Sequence, residues 1–189
     1  MAEAVVRERW TTQSFLAWLA DGHGGENRWE LVDGRPTMMA PPVARHSIVV
    51  GNVAGMLRER LRGGPCRPFT GDFGVETRPD QLRLPDVLVD CGPRDMDQSI
   101  ASDPKVAFEV LSPSTRAFDT VDKLEEYKGV AALHHLVVID PMRMDVALWT
   151  RDGGGWAYER LTEPDDTLRL PTLDAELPLA GIYEDVTFE

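Results

Sequence analysis

Lysine is scarce in this chain: of 20 basic residues only Lys105, Lys123 and Lys128 are lysines. Cysteine is scarcer, with only Cys66 and Cys91. Their spacing shows neither a metal-ligand pattern nor a disulfide framework, so a reducing cytoplasm is expected. No stretch approaches the roughly 18 apolar residues needed to cross a bilayer, and MAEAVVRERW lacks the apolar core of a signal peptide. These absences lead us to expect a soluble intracellular protein with no membrane partner. No G-K-[ST] phosphate loop and no G-x-S-x-G elbow occur, and DGHGG does not sit between a strand and a helix. Neither cysteine has a convincing histidine partner. P-loop, serine-hydrolase and thiol chemistries are therefore disfavoured. Repeats, low-complexity tracts and linkers are also missing, so 1–189 reads as a single domain, long enough for a real core.

What is present is acidic. Net charge is −12 and the pI is near 4.7, which argues against broad non-specific affinity for nucleic acid. Arg58, Arg60, Arg62 and Arg67 cluster in one short region. They read either as a solvated helix end with favourable C-terminal charge or as a local basic patch.

Thr11 or Thr12 can cap a first helix running to about Leu19, with Phe15, Leu16 and Leu19 on its apolar face. WELVDGRPTMMA reads as a hairpin around Asp33-Gly34, a dipeptide suited to a type I′ turn. His46 to Leu61 has helical apolar spacing and is closed by Gly63-Gly64-Pro65. Short strands are expected around Arg67–Phe69 and Phe73–Thr77. Asp86–Asp90 and Val106–Leu111 are nearly all apolar and so should lie centrally in a sheet. A helix over Asp119–Tyr127 precedes a buried strand at His135–Asp140. VALWT and WAYERL then form a hairpin about DGGG, and the tail closes as a short strand with a final helix or turn. The order implies a mixed α/β (α+β) fold, a mixed central sheet flanked by helices.

Two of these apolar runs each carry one acid. Asp86 opens its strand directly after Pro85, near a strand end. Glu109 lies late in its strand between Phe108 and Val110, where a carboxylate must be paired or bound to a cation. An arginine partner and a metal are both open. Asp119, Lys123 and Tyr127 recur every four residues and share a helix face. Asp119 suits an N-cap, whereas Lys123 is the one lysine placed to approach both strand acids. Glu30 alternates with Trp29 and Leu31, as a third ligand or as a solvent-facing acid. His46, after PPVAR, suits a helix cap or a phosphate contact. His134-His135 adjoin a buried strand and read as structural. Carboxylates on neighbouring strands with an ammonium nearby are what a divalent metal and a phosphodiester require.

RWELVDGRPTMMAPPVARHSIVVGNVAGML, LPDVLVD, FEVLSPSTRAFDTVDKLEEYKGV and HLVVIDP together resemble the Uma-type putative restriction endonuclease family, within the PD-(D/E)XK nuclease superfamily. The resemblance covers roughly residues 12–150, with a hairpin and tail at 144–189 beyond the nuclease core. It implies a restriction-endonuclease-like core and a Mg²⁺- or Mn²⁺-dependent phosphodiesterase acting on nucleic acid, DNA in the first place. Asp86 matches the aspartate of "PD" and Glu109 the acid of "(D/E)XK". The lysine expected two residues later is replaced by Leu111, and Lys123 from the helix would take its place. Asp119 and Tyr127 match the same helical set, and Glu30 resembles an extra metal-site carboxylate.

The implied mechanism is metal-ion hydrolysis, with Asp86, Glu109 and Glu30 holding the metal and Lys123 facing the reacting phosphate. The competing expectation is a nuclease-fold protein with weakened catalysis, acting as a DNA- or protein-interaction module. A homodimer, using the edge of the Val146–Leu161 hairpin, is a further expectation.

Overall fold

The computed structural model describes residues 9–93, 95–112 and 119–188, without the side chains of Asp119 and Thr120. A nine-residue helix, α1 (Thr12–Ala20), starts at a capping box in which Thr11 and Ser14 satisfy each other's backbone amides. The hairpin β1 (Trp29–Val32) and β2 (Arg35–Met38) turns at Asp33 and Gly34, with φ of 48° and 70°. Both values lie in the left-handed region that a type I′ turn demands. Next come α2 (Ala44–Arg60), β3 (Arg67–Thr70), β4 (Val75–Arg78), β5 (Gln81–Arg83), β6 (Val87–Asp90) and β7 (Pro104–Val110). The C-terminal portion is α3 (Asp119–Lys128), β8 (His135–Ile139), β9 (Val146–Asp152), β10 (Gly155–Leu161), β11 (Thr167–Leu170), β12 (Ala175–Pro178) and α4 (Leu179–Ile182).

The main sheet has six strands in the order β10-β9-β8-β7-β6-β3, and its one parallel pairing joins β7 to β8 across α3. The near-continuous apolar strands, β6, β7 and β8, are interior, as their composition requires. Val106, Phe108 and Val110 of β7 face a core shared with α2, β11, β12 and α4. Ala107 packs on the opposite side with Leu124 and Tyr127 of α3. Glu109, in step with Ala107, therefore points toward α3. A second sheet, β2-β1-β5-β4, packs Leu31 and Leu82 against Phe15 of α1.

Three expectations change. β5 was not anticipated, because Gln81–Arg83 is only three residues long and its strand character comes from pairing with β1 and β4. The tail forms a hairpin, β11–β12, before its last helix, with Leu168 facing Leu177. Cys66 and Cys91, read as unbridged, are joined by a disulfide. The antiparallel register of β3 and β6 pairs Arg67 with Asp90, which brings the next residues, Cys66 and Cys91, face to face. A separation of 25 residues conceals that proximity in the sequence. Among the described residues no helix is long and apolar enough to cross a membrane.

Candidate active site

The two sheets and α3 converge on one cavity of about 630 Å³, whose walls include Glu30, His46, Arg83, Asp86, Glu109 and Lys123. Asp86 reaches it from the end of β6. Its amide donates to Phe108 O at 3.0 Å, and its Oδ2 accepts the Val110 amide at 2.8 Å. The carboxylate thus continues the ladder that Pro85 interrupts. His46 Nε2 lies 3.1 Å from the same Oδ2. Among the described residues Oδ1 of Asp86 has no hydrogen-bond donor, and it remains available to a ligand.

Glu109 is held on the α3 side of β7. Its Oε1 accepts from the Tyr127 hydroxyl at 2.7 Å, and its Oε2 is 3.5 Å from Lys123 Nζ. Burial pushes the Glu109 carboxyl up to about 7. The Lys123 ammonium opposes that rise, while the Asp86 and Glu30 carboxylates add to it. Burial also raises the Tyr127 phenol well above its ordinary value, reinforced by the Glu109 carboxylate. Lys123 reaches between two acids. Burial disfavours its charge, but Glu109 and Glu30 outweigh that and raise its pKa, so the amine stays protonated.

Glu30 is fully engaged. Its Oε1 receives the Leu84 amide at 3.0 Å and Lys123 Nζ at 2.9 Å, and its Oε2 receives Arg83 Nη1 at 3.1 Å. The β1–β5 register, with Leu31 opposite Leu82, sets Glu30 across from Arg83. Arg83 in turn grips Glu126 through Nε at 2.6 Å and Nη2 at 2.7 Å, a bidentate pair. A buried chain of alternating charge results, from Glu126 through Arg83, Glu30 and Lys123 to Glu109. Lys123 and Glu126, three apart on α3, anchor that helix to β1, β5 and β7.

Sequence reasoning missed Arg83 and Glu126. The signal for Arg83 was Leu-Arg-Leu immediately before Pro85-Asp86, a charge embedded in an apolar run like the two acids that were noticed. Glu126 was marked by its i,i+3 offset from Lys123. The cavity does gather Glu30, His46, Asp86, Glu109 and Lys123, with Tyr127 behind Glu109. The Asp119 side chain lies outside the described residues. His135, expected to be structural, is buried with its ring nitrogens 3.1 Å from the Thr150 and Thr172 hydroxyls. Burial and neighbouring His134 press its pKa down to about 4, which keeps it neutral.

Among the described residues, no group of three or more His, Cys, Asp or Glu side chains is arranged to hold a metal ion. Charge nevertheless is not balanced. Glu30, Asp86, Glu109 and Glu126 contribute four negative charges when ionised, against two positive from Arg83 and Lys123. The excess is shared: Glu30 and Glu126 divide the single charge of Arg83, Lys123 contacts both Glu30 and Glu109, and Asp86 has no arginine or lysine partner among the described residues.

The uncharacterized protein slr1290 of Synechocystis sp. is 26% identical over 162 residues, covering 84% of this chain and 85% of that protein. The crystal structure of a putative nuclease belonging to DUF820 from Anabaena variabilis superimposes with a TM-score of 0.72 at 20% identity. That match covers 92% of this chain and 97% of the other, and it establishes a shared fold. Residues 12–180 match the model of Uma2, "Putative restriction endonuclease", and the chain belongs to that family.

Proposed function

We propose that the protein is a Mg²⁺- or Mn²⁺-dependent nuclease whose site is built on Asp86 and Glu109, with Lys123 supplied by α3 in place of a strand lysine. The observation that carries this reading is the convergence of Asp86 and Glu109 on a cavity where carboxylates outnumber the cationic side chains that contact them, joined to a Glu109 carboxyl pushed up to about 7. A divalent cation would offset that excess of negative charge and favour the ionised form. Mg²⁺ is commonly held by one or two carboxylates plus waters and substrate phosphate oxygens, so a two-carboxylate site suits it. Asp86 Oδ1 and the Glu109 carboxylate are the groups that would hold it. Glu30 would have to surrender contacts with Lys123, Arg83 or the Leu84 amide to join them.

When bound, the cation supplies a water of lowered pKa and neutralises charge on phosphate oxygens. The chain's own groups do the rest. Lys123, kept protonated between Glu30 and Glu109, presents an ammonium to the phosphate as negative charge builds on it. Tyr127 fixes the orientation of Glu109 through its 2.7 Å hydrogen bond. His46 and the Val110 amide fix Asp86 through Oδ2, leaving Oδ1 without a donor among the described residues. These partners act on the ligands rather than on substrate, the usual division of labour at a metal site.

Incubation of single- and double-stranded DNA and RNA with Mg²⁺ or Mn²⁺ tests the proposal. Wild type should cleave at least one of them, EDTA should stop cleavage, and Glu109→Gln and Lys123→Met should lose it. Cleavage that survives in both variants, or no cleavage of any substrate, would contradict it.

A further inference from the structure

One wall of the cavity is out of character with the rest. From Pro36 to Ala44 the chain carries no charged residue and reads PTMMAPPVA. Thr37 to Pro42 line the cavity that holds the carboxylates. Met38 at the end of β2 is 56% exposed, and Val43 before α2 is 54% exposed. Three prolines, Pro36, Pro41 and Pro42, stiffen the segment, so its apolar surface is presented rather than folded away. Large apolar side chains standing free beside a polar site mark a contact surface.

The other walls are acidic. Asp33, Asp122 and Glu125 are exposed there. Among the described residues, the two arginines at the rim are already paired: Arg28 with Asp72 at 3.2 Å and Arg78 with Asp33 at 3.0 Å. The whole chain carries a net −12. Duplex DNA presents one charge per ~1.7 Å and hides the faces of its bases, so it would meet repulsion here and find nothing to lay against the methionines. A single strand has about half that charge per length along its axis and exposes its base faces.

We propose that the substrate is single-stranded or locally unstacked nucleic acid, with a base seated on the Met38–Pro42 wall and its phosphate at Asp86 and Glu109. This assignment rests on the nuclease reading above and specifies the substrate of that same site. The wall selects by contact with an exposed base face and not by sequence, since every base has one. The sugar is not distinguished by an apolar wall, so both the DNA and RNA forms of a strand are candidates.

Fluorescence anisotropy tests it, with a labelled single-stranded oligonucleotide in DNA and RNA form and the same sequence as a blunt duplex. All are measured at equal low salt with Ca²⁺. The single strand, in at least one form, should bind about tenfold tighter than the duplex. Met38→Ser and Met38→Ser/Met39→Ser should erase most of that preference. The single substitution is at an exposed position, so the fold should survive it. Equal or tighter binding of the duplex, no binding of any oligonucleotide, or unchanged single-strand affinity in Met38→Ser would each overturn the proposal. Mn²⁺ uptake by the same preparation separates the two ideas. Uptake without strand preference removes only the substrate assignment, whereas no uptake removes the nuclease reading beneath it.

Discussion

Glu30 Oε1 and Lys123 Nζ stand 2.9 Å apart, although one belongs to β1 and the other to α3. Lys123 is therefore aimed at the cavity by an acid that is itself held by Arg83 and a backbone amide. Lys123→Met should lower phosphodiester hydrolysis on the order of a hundredfold or more, the scale for losing one preorganised charge donor at a transition state. Mn²⁺ binding should persist or tighten, because a competing ammonium leaves Glu109. Parallel turnover and calorimetric measurements check this.

The Arg83 clamp governs stability. Its side chain is 8% exposed, and its removal takes the bidentate partner from Glu126 and the Oε2 partner from Glu30. Arg83→Met should destabilise the protein by about 3–5 kcal/mol in denaturant unfolding. Arg78→Met removes an ion pair whose side chains are more than half exposed, and it should cost ~1 kcal/mol or less.

The pH dependence of Glu109 has a defined sign. Its folded pKa, about 7, lies above the ordinary 4.5, so between those values the folded state binds more protons than the unfolded one. Its contribution to stability is fully present below pH ~4.5 and is lost as pH rises through about 7. Metal-free Glu109→Gln should therefore lose less stability than wild type over that interval. The difference between the two unfolding series isolates this group from the others that titrate there.

His46 separates two roles by substitution. Nε2 contacts Asp86 Oδ2 at 3.1 Å, while Nδ1 is buried with no hydrogen-bond partner among the described residues. His46→Gln keeps a donor near Nε2 and should hold Mn²⁺ affinity within a few-fold of wild type. His46→Leu should weaken it about 10–100-fold, the usual effect of losing a partner of a metal ligand. Equal affinities in the two variants would assign His46 to packing alone.

Much of the fold was legible because its signals are local. Asp33-Gly34 announced the first hairpin, and the apolar runs at β6, β7 and β8 announced interior strands. Asp86, Glu109 and Lys123 stood out because each breaks a pattern: an acid in an apolar strand, or a rare lysine on the right helix face. What escaped depends on tertiary register. β5 exists through its pairing with β1, the Cys66–Cys91 bond through that of β3 with β6. Glu30 reads in the sequence as a third metal ligand or a solvent-facing acid, whereas the β1–β5 register sets Arg83 across from it and α3 delivers Lys123.

Calorimetric titration of Mn²⁺ into the wild-type protein, with Asp86→Asn alongside, is the sharpest check on a metal site at Asp86 and Glu109, because it needs no knowledge of the substrate. Wild type should bind Mn²⁺ saturably, and Asp86→Asn should lose that binding while remaining folded. Absence of binding to the wild type, or equal binding to both proteins, would contradict a metal site built on Asp86 and Glu109.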